Sequence, residues 1–306
     1  MQLVFHQAAL GDFVLALPTL RRLGSQAEAV TLVVPWSHGR VAARLMPEAR
    51  VLDIEMFEFT RLWSEGGPST MSPAVAEVFG DVTHVVNFVA NAESTWTKNV
   101  SRVCGGAPIL TVPPRPPHDW TMAVHAWHAE QLAASHVALC PISNETKHGS
   151  PLRTDVWQPG APRRWVIHPG SGGVAKCWPI ARYATLRQQL VERGDDAVFL
   201  LGPAEVERGV ADKLRDQFED TVNLREIREI DDLFFALNEA THYLGNDAGP
   251  THVAAQLGLP TTALFGPTDP RVWAPVGPRV RVIAPPQPTL ITWLTVDALL
   301  DQLDVD

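Results

Sequence analysis

Asp247, Gly249, Pro250 and His252 crowd the turn that opens an apolar helical stretch, LGNDAGPTHVAAQLG, at residues 244–258. Pro250 suits a first helical position, and Gly249 suits a backbone that must come close to a ligand. The amides of Ala248, Gly249 and Thr251 would then be free to hold an anion. Asp247 could bind a ligand hydroxyl or cap the helix. A plain Asp-Gly turn with His252 packed at the helix surface accounts for the same residues.

Residues 168–179, HPGSGGVAKCWP, repeat the theme between a strand and a helix. Gly170, Ser171, Gly172 and Gly173 are small enough for their amides to approach an anion. The following helix offers its positive end, and Lys176 adds a full charge. Neither the P-loop spacing nor the G-x-G-x-x-G dinucleotide fingerprint is present. A surface turn with a solvated lysine is the plainer alternative. Two such turns in one domain, both at carboxyl ends of strands, nevertheless favour a crevice site.

A third stretch, ALGDFVLALPTLRRL, places Asp12 at the start of a helix. Asp12 sits where an N-cap would sit. It could instead serve as a general base, kept ionised by the helix N-terminus. In LFGPTDPRVWAPVG, residues 264–277, prolines fix the orientation of Thr268 and Asp269, and a purely scaffolding role is open.

These stretches need elements to hold them, and the chain supplies alternating β and α patterns. Strands are expected at LVFH, AVTLVVP, VLDIEMF and THVVNF, interleaved with helices at GDFVLALPTLRRLGS and HGRVAARLMP. The prolines of PPRPP mark a loop, followed by a helix over residues 118–138. Residues 141–164 read as an interdomain connection. The alternation then restarts, with strands at RWVIHPG, DAVFLLG, TVNL, HYLG and TTALFG. Helices are expected at PIARYATLRQQLVERG, AEVERGVADKLRDQF and IDDLFFALNEA. The result is an α/β chain of two Rossmann-like halves. The expected domains are residues 1–155 and 160–285, and residues 286–306 form a last helix that could return to the first domain.

With 306 residues, 45% of them apolar, the chain can bury a large core. A net charge of -9 opposes a broad grip on nucleic acid or anionic lipid. Three isolated cysteines suggest neither a disulfide framework nor a zinc site, which fits a reducing cytoplasm. No apolar run approaches the length of a membrane span, and the opening MQLVFHQAALGD shows no cleavable signal pattern. The expectation is a protein that works inside the cell.

In their order and spacing, these motifs resemble those of glycosyltransferase family 9, the heptosyltransferases of lipopolysaccharide core assembly. The resemblance runs through LGDFVLALPTLRRL, HPGSGGVAKCWP, LLGPAEVE and LGNDAGPTHVAAQLGLPTTALFGPTDP, over nearly the whole chain. It implies a GT-B fold, two Rossmann-like domains facing across a cleft, with the acceptor on the first and the nucleotide sugar on the second. It further implies inverting, metal-independent transfer from ADP-heptose to a lipopolysaccharide-core or other cell-envelope glycan acceptor, which can be lipid-linked. Asp12 matches the catalytic aspartate, and Lys176 matches the lysine on the donor diphosphate. Ser171 lies where a hydroxyl meets the same phosphates, beside Gly172. Asp247, Gly249 and His252, with Ala248 between, fall on the donor motif, and Glu205 or Glu207 on the ribose position.

An anionic acceptor calls for basic residues in the first domain. Arg21, Arg22, Arg40, Arg44, Arg61 and Lys98 are available, with Arg61 and Lys98 the preferred candidates and Arg21, Arg22 and Arg44 equally readable as helix-surface charges. Trp36, Trp63, Trp96, Trp120 and Trp127 could line a sugar surface or pack in the core. No cofactor or metal is expected, no nucleic-acid partner, and at most peripheral association with the inner face of the cytoplasmic membrane. Two other readings are a nucleotide-sugar epimerase or hydrolase on the same scaffold, and a non-catalytic nucleotide-sugar-binding partner in envelope assembly.

Overall fold

A computed structural model describes residues 1–24, 29–67, 72–135, 137, 139–140, 157–158, 160–218 and 222–303. The chain divides into two compact units, Met1–Lys147 and His148–Asp306. Residues 141–156, most of the expected connection, lie outside the described residues.

The first unit runs β1 (Gln2–Phe5), α1 (Leu10–Gly24), β2 (Val30–Val34), α2 (Trp36–Leu45), β3 (Arg50–Asp53), α3 (Phe57–Thr60), α4 (Pro73–Gly80), β4 (His84–Asn87), α5 (Thr95–Val103), β5 (Ile109–Thr111) and α6 (Val124–Ala134). Its sheet is parallel throughout, in the order β3-β2-β1-β4-β5. Every residue of β1 and β2 is buried, as expected of parallel strands covered on both faces. Phe5 anchors the core, its ring edge-on to Trp96 at 4.9 Å and to Phe59 at 6.0 Å. The chain leaves β1 in one direction and returns at β4 on its other side. The switch point of the sheet therefore lies at the carboxyl end of β1, just before Asp12.

The second unit repeats the plan with β6 (Arg164–His168), α7 (Ile180–Glu192), β7 (Asp196–Leu201), α8 (Pro203–Glu207), α9 (Val210–Phe218), β8 (Leu224–Glu226), α10 (Ile230–Glu239), β9 (His242–Asn246), α11 (Gly249–Gln256), β10 (Thr261–Leu264), α12 (Pro270–Trp273), β11 (Val280–Ile283) and α13 (Val296–Leu303). The strand order is β11-β10-β9-β6-β7-β8, again all parallel. Here the switch point lies between β6 and β9. Those two strands carry the HPGSGG and NDAGPTH turns.

Several expected elements are redrawn. The strand expected at VLDIEMF stops at Asp53, whose carboxylate accepts the Glu55 amide at 3.0 Å and turns the chain into α3. The helix expected from residue 118 starts at Val124, because a turn from Trp120 N–H to the Pro117 carbonyl occupies its first positions. AEVERGVADKLRDQF is two helices, broken at Gly209, whose φ of 65° is left-handed. TVNL pairs three residues later than expected, as β8. The C-terminal segment is a short 3-10 turn, Ile291–Trp293, followed by α13, with the Thr295 hydroxyl accepting the Ala298 amide at 3.2 Å. It was open to return to the first domain. Instead Leu299, Leu300 and Leu303 belong to the second unit's core with Trp165, Trp178 and Phe199.

Candidate functional site

Because β6 and β9 are neighbours, the two turns that follow them meet at one end of the second sheet. Ser171 donates its hydroxyl proton to the Asp247 carbonyl at 2.8 Å. Lys176 Nζ lies 2.7 Å from Asp247 Oδ2, and the Thr268 hydroxyl donates to the same oxygen at 2.9 Å. His252 Nε2 stands 3.4 Å from Oδ1. Asp247 is therefore the hub of the cluster, its carboxylate only 7% exposed while the Lys176 side chain is 34% exposed. Burial acts most strongly on the Asp247 carboxyl and would raise its pKa. His252 and Lys176 more than offset it and hold the group at about 2.

The Ser171 amide faces the Cys177 sulfur, whereas the amides of Gly172, Gly173, Ala248 and Gly249 make no hydrogen bond to another described residue. They stay available to an anion. Thr251 was expected to join them, but its N–H closes the first turn of α11 on the Ala248 carbonyl at 3.0 Å. A second expectation also changes. The positive end of α7 does not follow the glycines directly, since the 3-10 turn Val174–Lys176 and extended residues intervene before Ile180. That turn carries Lys176. His252 is buried in α11 and not at its surface.

Glu205 has its carboxylate turned inward. It accepts the Gly202 amide at 2.9 Å in a capping box and faces His168 Nε2 at 3.5 Å, whereas Glu207 is exposed. Burial would raise the Glu205 pKa, but hydrogen bonding and charge from His168, with the Gly202 amide, leave it lowered. A Cβ on Gly170 would overlap this carboxylate. Gly170→Ala is expected to destabilise the protein by about 1–3 kcal/mol, because Glu205 is buried and held by the Gly202 amide and His168, so moving it breaks those contacts. Thermal unfolding checks it: Glu205→Ala in the same chain should recover part of the loss, and an unchanged midpoint for Gly170→Ala would refute the packing argument.

Three contributors escaped the sequence reading. Arg208 donates to the Ser171 carbonyl at 3.0 Å and the Gly172 carbonyl at 3.3 Å, fixing which way the glycine loop faces. Asn246 ties that loop to β9. In the first unit, Arg115 of the PPRPP loop lies 3.7 Å from Asp12 Oδ2. Asn246 stands in the NDAGPTH turn, but its role, like those of Arg115 and Arg208, is revealed only by its contacts. Asp12 itself is the third residue of α1, inside the first turn and not at the N-cap.

The basic candidates scatter. Arg61 stacks over Phe57, with its guanidinium 5.6 Å from the ring centre, and Lys98 is exposed on α5. Arg21 is not a surface charge, being buried with its Nε donating to the Leu45 carbonyl at 2.9 Å. Trp96 is core, Trp36 and Trp63 are exposed, and Trp120 packs edge-on against Trp127. Among the described residues no group of three or more His, Cys, Asp or Glu has an arrangement that could hold a metal ion. No helix among them is long and apolar enough to cross a membrane. A hollow of about 230 Å³ opens at the opposite end of the second sheet beside Trp157, where Arg164 and Arg279 cap the carbonyls of Glu239 and Gly258.

Two parallel α/β units, each with its motif at the switch point, make this a fold of the GT-B type. Residues 130–292 match the profile of glycosyltransferase family 9 (heptosyltransferase), and the chain belongs to that family. It is 32% identical over 114 residues to the lipopolysaccharide heptosyltransferase 2 of Escherichia coli, a stretch covering 36% of this chain and 33% of that protein. The lipooligosaccharide heptosyltransferase 2 of Haemophilus influenzae is likewise 32% identical over 118 residues, 36% of this chain and 33% of that one. The alignments thus span about a third of the length of these curated relatives. Over the whole fold, a family 9 glycosyltransferase from Veillonella parvula superposes with a TM-score of 0.71 at 17% identity, covering 99% of this chain and 96% of that one. The E. coli heptosyltransferase WaaC with ADP gives 0.70 at 19%, covering 99% of both chains.

Proposed function

We propose that this protein is an inverting, metal-independent glycosyltransferase that moves heptose, or a related sugar, from ADP-heptose to a lipopolysaccharide-core or other envelope glycan acceptor. The observation that carries it is the joined pair of turns in the second unit, which brings unbonded amides and Lys176 to the same end of the sheet. An inverting displacement needs a base at the acceptor oxygen and charge neutralisation at the departing diphosphate. Asp12 of the first unit is the proposed base. Its carboxylate takes the proton of the acceptor hydroxyl as that oxygen attacks the anomeric carbon, and the C–O bond to the diphosphate breaks. Gly172, Ser171, Ala248, Gly249 and Lys176 receive the negative charge.

Asp247 and His252 complete the donor contacts, and Glu205 is the proposed ribose contact. Arg61 and Lys98 are the proposed acceptor contacts of the first unit. The donor is a substrate, so no cofactor is invoked, and nucleic acid is not a proposed partner. The work is placed in the cytoplasm, with at most peripheral contact at the inner face of the membrane. Support for the nucleotide comes from the WaaC neighbour, whose structure holds ADP.

Calorimetric titration with ADP, UDP, GDP and CDP tests the reading. ADP should bind selectively, and Lys176→Ala should weaken it about 10- to 100-fold, the worth of a charge-assisted hydrogen bond. Preference for another nucleotide would replace the donor, and undiminished ADP binding by Lys176→Ala would remove that lysine from the site.

A further inference from the structure

We propose that Asn246 is the positioning residue that locks the two strand-to-helix turns of the second unit into one diphosphate cradle, a role that rests on the nucleotide-sugar reading above. Asn246 is the last residue of β9 and has no exposed surface. Its Nδ2 donates to the Pro169 carbonyl at 2.8 Å and to the Gly170 carbonyl at 3.2 Å. Its Oδ1 accepts the Trp178 amide at 3.0 Å and the Tyr183 hydroxyl at 3.0 Å. Two donors face the oxygen and two carbonyls face the nitrogen, so only one orientation of the amide fits.

Those four partners stand on both sides of the glycine loop. Pro169 and Gly170 enter it; Trp178 and Tyr183 leave it for α7. The neighbouring residue, Asp247, grips Ser171 and Lys176 in the loop between. One β9 terminus therefore sets where the loop begins, where it ends and where its lysine points. A run of Gly-Ser-Gly-Gly has much backbone freedom to lose, and amides bind an anion well only when their directions are fixed beforehand. No other side chain of this size both donates twice and accepts twice. Aspartate would set oxygen against two carbonyls, and leucine would leave all four partners unpaired.

The test compares ADP, AMP and adenosine by calorimetry on the wild type, Asn246→Ala and Tyr183→Phe, at a temperature where all three are folded. Asn246→Ala should lose about tenfold or more in ADP affinity, less for AMP, and under about twofold for adenosine, because the loop amides hold phosphate. Tyr183→Phe, which removes one of the two donors at Oδ1 and leaves both loop carbonyls bonded, should lower the unfolding midpoint and cost less ADP affinity than Asn246→Ala. Equal losses for ADP and adenosine, or no loss for ADP, would overturn the positioning role. A wild type that refuses ADP overturns the nucleotide reading itself, and the two failures are thereby distinct. Should Asn246→Ala not fold, hydrogen exchange on the wild type decides. The Trp178 and Asp247 amides should exchange through one opening and be slowed together by ADP; independent exchange would refute the lock.

Discussion

Asp12→Asn should fold, bind ADP as tightly as the wild type, and transfer sugar about 10²- to 10⁴-fold more slowly, the usual worth of a general base. The side chain lies in the first turn of α1 with 13% of its surface exposed, against Arg115 at 3.7 Å. Arg115 is itself 72% exposed, so losing its partner costs little stability, within about 0.5 kcal/mol. Asparagine keeps the shape while removing the negative charge and the ability to take a proton, which separates chemistry from packing. The assay is transfer from ADP-heptose to a lipopolysaccharide core lacking its heptoses, with ADP binding measured on the same preparation. Wild-type transfer by Asp12→Asn would remove Asp12 from the mechanism. Loss of ADP binding in step with transfer would show a folding defect. A protein that binds nucleotide sugars without catalysis predicts no difference between the two chains in whatever it assembles with, so the variant also separates those classes.

The alternation of β and α was legible because the buried strands of a parallel sheet are apolar on both faces, as β1, β2, β9 and β10 are. The edges were not. β3, β8 and β11 are only partly buried, and their sequences lack that signature. Short helices such as α3 and α12 depend on turn chemistry, here the Asp53 side chain and the Asp269 cap, which a hydrophobic period does not register. At the site, glycines, Lys176 and Asp247 stood out by type and spacing. Arg115, Arg208 and Asn246 did not, because each acts through a partner far away in sequence, as Arg115 does through Asp12. The amide of Thr251 looked available from the turn pattern, yet the helix needed it to close its own first turn.

Asp247→Ala should be the most destabilising substitution in the site, about 3 kcal/mol, with a fall in unfolding midpoint of roughly 6–12 °C. Its carboxylate is nearly dry and serves Lys176, His252 and Thr268 at once, so alanine leaves a hollow and three polar groups without their acceptor. The acid limb carries the more specific sign. The carboxyl is held at about 2, below the ordinary aspartate range near 4, so the folded state favours the charged form. Its contribution, on the order of 2 kcal/mol, is fully present above pH about 4 and is lost as the pH falls through about 2. Asp247→Asn cannot titrate there. Unfolding midpoints followed from pH 6 to 2 should therefore fall more steeply for the wild type than for Asp247→Asn, with the two curves converging at the acid end. Parallel curves would mean that Lys176 and His252 do not hold the charge as the geometry requires. Because the same carboxylate orients Lys176, a site that binds a diphosphate through that lysine must keep a costly buried anion at its centre, and the acid limb measures that dependence without any ligand.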